Sequence, residues 1–146
     1  MIRCVKLWTG ADGKSHFQEG FVELEPGARG DAFSTKLPIN SASFHETDLD
    51  PKLGWHPDAA RQLVISLSGI LQFETQDGGF TLRPGDVLFT EDTSGAGHNW
   101  TMMGEEPWCR LYTVLEPNSA VPFRPAAVQA GEGCASSATR ASGENR

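Results

Sequence analysis

The residues best suited to chemistry stand at the two ends of one stretch of chain. His56, Asp58 and Gln62 open it, and His98 closes it behind Gly95-Ala96-Gly97. Two imidazoles with a carboxylate suit Fe(II), Mn(II) or another first-row metal with open positions, while the neutral oxygen of Gln62 is a weaker ligand. Residues an even number apart on one strand share a face, so His56, Asp58 and Gln62 can converge on a point that His98 reaches from a neighbouring strand. Pro57 argues against a regular strand between the first two. Each residue also has a plain structural reading: His56 as a strand-entry residue, Asp58 as a turn or solvent residue, Gln62 as a partner for backbone, His98 as a solvated loop histidine. Glu91-Asp92 has the composition of a metal-site carboxylate pair but reads first as the former of the turn into Thr93-Ser94-Gly95. His16 and His45 read as surface residues, with a cavity-facing His45 as the lesser alternative.

The elements that must position these groups are short. Residues 63–67, 70–75 and 87–90 are rich in β-branched, aromatic and aliphatic side chains, and Ser68-Gly69, Asp77-Gly78-Gly79 and Pro84-Gly85-Asp86 separate them. Runs bounded by such breakers predict strands joined by tight turns. Further strands are expected over 2–8, 21–24, 43–47 and 108–115, with a loop over 48–52. No segment has the length, apolar spacing and caps of a helix, so the expected fold is all-β. Trp55, Trp100, Trp108, Phe73, Phe89 and Tyr112 are expected mostly in the core, with one or two free to line a pocket.

Strand parity raises a question about Gln62. It shares a face with Val64 and Ser66, whereas Leu63, Ile65 and Leu67 form the opposite, apolar face. If one face alone is buried, the apolar one should win and Gln62 should meet water. Gln62 points inward only if its face lines a cavity while N-terminal strands or a partner subunit cover the other, or if a bulge resets the parity. Both outcomes are open at this level.

With 146 residues the chain fits one domain. The 19 acidic and 12 basic residues leave a net charge of -7, without a Lys/Arg cluster, which argues against nucleic acid as a partner. Cys4, Cys109 and Cys134 are odd in number and lack a Cys-x-x-Cys pair, as expected in a reducing compartment. No stretch is apolar and long enough for a signal peptide or a membrane span, so a cytoplasmic protein with no membrane partner is expected. The expected domain covers residues 1–117. Residues 118–146 are rich in Ala, Ser, Gly and Pro, and 126–146 are expected to be disordered.

The chain resembles the cupin superfamily, small jelly-roll barrels whose two motifs supply metal ligands. On the first motif, G-x5-H-x-H-x3,4-E-x6-G, His56, Asp58, Gln62 and Gly69 fall at the spacing of H, H, E and the final G. Asp58 thus replaces the second His, Gln62 the Glu, and Asp50 the leading Gly. On the second, G-x5-P-x-G-x2-H-x3-N, counted from Gly85, Glu91 takes the place of Pro and Thr93 that of Gly. His98 comes two residues beyond the motif's His, and Met102 stands at the Asn position counted from it.

The resemblance spans residues 43–115 and implies a cupin-like double-stranded β-helix. It implies that His56, Gln62 and His98 hold a divalent first-row metal (Fe, Mn, Ni or Zn), with Asp58 as a fourth ligand or a base. The activity implied is that of an isomerase, lyase or dioxygenase on an unidentified small molecule, in a homodimer to which the N-terminal strands contribute. Gln62 in place of Glu favours a different reading, a cupin module that binds a small ligand without chemistry. His56-Pro57-Asp58 with His98 also resembles the His-x-Asp…His triad of oxoglutarate-dependent oxygenases, in which Arg110 would be asked to bind a carboxylate. The chain is short for that family.

Overall fold

The computed structural model describes residues 1–127 and is all-β, with no α-helix among them. The strands in chain order are β1 (Arg3–Thr9), β2 (Ser15–Val22), β3 (Glu25–Pro26), β4 (Ala32–Phe33), β5 (Ile39–Thr47) and β6 (Gln62–Ser66). They continue as β7 (Ile70–Thr75), β8 (Gly78–Leu82), β9 (Val87–Glu91), β10 (Asn99–Met103), β11 (Trp108–Leu115) and β12 (Phe123–Pro125). Seven form one sheet in the order β12-β2-β1-β9-β6-β11-β5, three form a second in the order β10-β7-β8, and β3 and β4 make a small ribbon. Pairing is antiparallel except between β1 and β9, which run parallel.

The two larger sheets face each other over one core. Val5 and Leu7 of β1, Val64 of β6, Leu88 of β9 and Trp108 of β11 meet Leu71, Phe73, Phe80, Leu82 and Trp100 from the three-stranded sheet. Phe73 is the hub, its ring stacked on Phe80 at 5.1 Å and edge-on to Trp108 at 6.2 Å. A second cluster, Cys4, Val87, Phe89 and Leu115, occupies the outer face of the large sheet.

That outer cluster answers the parity question. Gln62, Val64 and Ser66 point into the interior and are buried, whereas Leu63 and Ile65 point outward and pack against the outer cluster with Val22, Val121 and Phe123. Both faces of β6 are therefore covered, and Leu67, just past its end, is exposed. The cover comes partly from beyond residue 117: β12 pairs with β2, and the Ala126 amide donates to Glu19 O at 2.9 Å. The sheet thus extends past the expected 1–117 domain. Residues 128–146, most of the segment expected to be disordered, lie outside the described residues.

Two strands sit where breakers or a site were expected. Gly78 and Gly79 are not a turn but the start of β8, paired with Thr75 and Glu74. A Cβ on Gly79 would lie 2.5 Å from Phe73 O, so the strands approach too closely there for a side chain. Asn99 to Met103, expected only as the end of the site stretch, pairs along its whole length with β7. Trp100, Trp108, Phe73 and Phe89 are buried as expected and Tyr112 is half-buried, but Trp55 is exposed. Among the described residues no helix is long and apolar enough to cross a membrane.

Candidate functional site

The structure brings His56 and His98 side by side. The His56 amide donates to His98 O at 2.9 Å and the His98 amide donates back to His56 O at 3.0 Å, a reciprocal antiparallel pair outside the named strands. Directly paired residues send their side chains to the same face, and the two imidazole centroids lie 5.1 Å apart. Gly97 permits this approach. Its φ is +73°, and a Cβ there would lie 2.0 Å from the His56 carbonyl carbon. Gln76 fixes the loop from the other side, its Nε2 donating to Gly97 O at 3.0 Å while its Oε1 accepts from the Ser15 amide at 2.9 Å.

Each ring is held through Nδ1. His56 Nδ1 lies 2.9 Å from Gly54 O, and since a carbonyl only accepts, that nitrogen carries the proton. His98 Nδ1 lies 2.5 Å from Asp92 Oδ2, which also accepts from Ser15 Oγ at 2.8 Å. His98 and Asp92 are both buried, so this is a charge-assisted bond shielded from solvent. Asp92 Oδ1 is the one enclosed side-chain polar atom among the described residues without a hydrogen-bond partner. In both imidazoles Nε2 is the nitrogen left over for a ligand or a proton, and both have the outer-shell partner that commonly orients a ligating histidine.

Gln62 and Asp58 form a second pair. Gln62 Nε2 donates to Asp58 Oδ1 at 2.9 Å, and the same oxygen accepts from the Ala59 amide at 2.9 Å. The amide nitrogen being engaged, Gln62 Oε1 is the free end, with no hydrogen bond among the described residues. Asp58 sits in the loop rather than on a strand with Gln62, so the shared-face argument does not apply to it. The two pairs are linked through backbone, because the Asp58 amide donates to Asp92 O at 2.9 Å.

Among the described residues no group of three His, Cys, Asp or Glu is placed to hold a metal ion. The expected ligands that the structure brings together are the two imidazoles, with Asp92 contributing its charge from behind His98, while Gln62 is paired with Asp58. Without a metal, the Asp92-His98 pair has the make-up of a general acid–base pair, an oriented imidazole backed by a carboxylate.

Asp92 and Ser15 are the parts of the site that sequence reasoning missed. Asp92 was legible as half of a carboxylate pair with metal-site composition but reads first as a turn former, and Ser15 carries no local signal because it arrives from β2. Of the other histidines, His45 is exposed, while His16 is half-buried between Asp12 and Asp77, at 3.0 Å from each. Arg61 bonds Glu91 at 2.8 Å. Compared with known proteins, the chain matches no protein-family model and no curated protein.

Proposed function

We propose that the protein is a jelly-roll, cupin-like enzyme acting on a small molecule with a divalent first-row metal held by His56 Nε2, His98 Nε2 and Gln62 Oε1. The observation that carries this reading is the locking of both Nδ1 atoms, by Gly54 O and by Asp92, on two imidazoles that leave the chain on one face. The inward orientation of Gln62 supports it. Asp58 serves by turning the Gln62 amide so that its oxygen is the free atom. The metal would supply a Lewis acid or a dioxygen-binding centre.

A second reading of the same site is a module that binds a small ligand and does no chemistry. Its support is that none of the three proposed ligands, His56, His98 and Gln62, is a carboxylate, since neutral ligands hold a divalent cation less firmly.

Metal content decides between them. Protein purified without a tag should carry Fe, Mn, Ni or Zn near one equivalent, His98→Ala should abolish it, and His56→Ala and Gln62→Ala should lower it. His45→Ala, on a separate segment, should leave it unchanged. Wild type with no first-row metal, and a melting temperature indifferent to both chelator and added Mn(II) or Fe(II), would leave the binding module as the better reading.

A further inference from the structure

His16 sits between two turns and meets a carboxylate from each. Its Nε2 lies 3.1 and 3.0 Å from the two oxygens of Asp12, in the turn between β1 and β2. Its Nδ1 lies 3.0 Å from Asp77 Oδ2, in the Gln76-Asp77 turn between β7 and β8. An ionised carboxylate only accepts, and a neutral imidazole has a single N–H. In either neutral tautomer the other nitrogen turns its lone pair on a carboxylate oxygen, so the imidazolium alone satisfies both contacts. The other charged groups on this patch are engaged elsewhere. The Lys14 amide donates to Asp12 Oδ1 at 3.0 Å, and that bond together with His16 holds the Asp12 carboxyl below its usual range. On β1 the neighbour is Trp8, whose ring stacks on His16 at 5.7 Å. Beyond it Glu91 of β9 is level with Trp8, but it meets Arg61 at 2.8 Å and Lys6 at 3.8 Å.

Both turns also hold the loop that leads to His98. From the β1-β2 side, Gly13 O accepts from the Ala96 amide at 3.0 Å and Thr9 Oγ1 donates to Ser94 O at 3.1 Å. From the β7-β8 side, Gln76 donates to Gly97 O at 3.0 Å and accepts from the Ser15 amide at 2.9 Å. Two consecutive turn residues, Gln76 and Asp77, thus dock on two consecutive residues of β2, Ser15 and His16. The Gln76 contact is indifferent to pH, whereas the Asp77 contact needs a charged ring.

We propose that His16 is a protonation-dependent clamp: its charged ring ties the β1-β2 and β7-β8 turns together around residues 94–97, which lead to His98, and loss of the proton loosens that loop. The sign follows from the contacts. The fold holds two carboxylates against the ring and the unfolded chain does not, so the stability from the clamp is present while the ring is charged. It is lost as pH rises through the range in which histidine titrates, about 5 to 8. His16 is a positioning residue. It faces outward beside Trp8, while Ser15 before it faces inward and bonds Asp92 at 2.8 Å. The proposal therefore stands whether or not a metal binds at His56 and His98.

The test is a pH titration of the full chain by NMR, with urea unfolding at about pH 5.5 and about pH 8.5, either side of the histidine range. At the lower pH the His16 ring should show both nitrogens protonated. As pH rises, the Ala96 and Gly97 amides should shift with the midpoint of the His16 ring. In His16→Gln, whose side chain is polar but takes no charge, the movement at that midpoint should vanish. Wild type should lead His16→Gln in urea midpoint by about 0.3 M more at the lower pH than at the higher. Asp77→Asn, whose amide can donate to a neutral Nδ1, should show a smaller pH difference relative to His16→Gln. Should His16→Gln fail to fold, the wild-type titration decides by itself. The proposal is overturned by a His16 ring with one protonated nitrogen at the lower pH, or by loop amides that do not follow its midpoint. It is equally overturned by equal wild-type leads at the two pH values, or by a pH difference in Asp77→Asn as large as in wild type.

Discussion

Replacing Gly97 by Ala puts the histidine pair under direct strain, and the structure sets the size of the effect. The added Cβ would sit 2.0 Å from His56 C, 2.2 Å from His56 O and 2.3 Å from Pro57 N. All three are backbone atoms, so no side chain can rotate away and the two segments must part. Parting them breaks the bonds between His56 and His98 at 2.9 and 3.0 Å, worth about 1 kcal/mol each. Holding a non-glycine residue at the φ of +73° costs about 1 kcal/mol more. The expected loss is about 3 kcal/mol, or about 9 °C in melting temperature for a chain of this size. Gly104 is the control, because its φ is +80° and nothing lies within 4 Å of a Cβ there. Gly104→Ala should cost the backbone term alone, about 1 kcal/mol and about 3 °C. Thermal melts followed by circular dichroism measure both variants. Melting temperatures within a degree or two of each other would refute the steric argument and with it the close approach of the two histidine segments.

Cys4 is 1 % exposed, and burial pushes its thiol up to about 12, so iodoacetamide at neutral pH should label it only after unfolding. Because the folded thiol holds its proton more tightly than the unfolded one, the stability it contributes is full below its ordinary value near 9 and falls as pH rises toward 12. Chemical denaturation between pH 8 and 11 should show that decline for wild type and a smaller one for Cys4→Ala. Phe123→Ala should lower stability by about 2 kcal/mol, since the half-buried ring covers the outer cluster, and an unchanged urea midpoint would place β12 outside the cooperative unit. Phe44, Leu67 and Ile70 are exposed and β5 ends the large sheet among the described residues, an arrangement for which a homodimer is the expected outcome. Sedimentation should show a concentration-dependent dimer that Phe44→Glu weakens, and a monomer at every concentration would count against it.

What the sequence made legible follows from how local each signal is. Breakers and alternation within a few residues place β6, β7, β9 and β11 closely, because turn chemistry and pleat act over short distances. They misplace β8, where two glycines serve a close strand approach rather than a turn, and β2, which runs over 15–22 rather than 21–24. The inward turn of Gln62 depends on Val121 and Phe123 covering Leu63 and Ile65, and a contact between segments so far apart leaves no mark on the pattern of β6 itself. His56 and His98 were visible by residue type and spacing, but Asp92 looked like a turn residue because its function depends on a bond to Ser15, 77 positions away.

That bond also bears on the order of folding. The groups that orient His98 come from widely separated parts of the chain: Ser15 joins Asp92, and Gln76, bonded to the Ser15 amide 61 positions earlier, holds the loop at Gly97. The parallel pairing of β1 with β9 that brings the N-terminal hairpin alongside is equally non-local. Contacts of such high contact order close late, after the short hairpins have formed. The β7-β8 hairpin can form early from neighbouring residues, but the Ser15 bond to Asp92 behind His98 forms only once the first 20 or so residues have docked. Completed topology therefore adds the outer layer of the site: a chain arrested before β1 pairs with β9 would keep Gly54 beside His56 and Asp92 beside His98, but would lack Ser15 on Asp92 and the Ser15 anchor of Gln76.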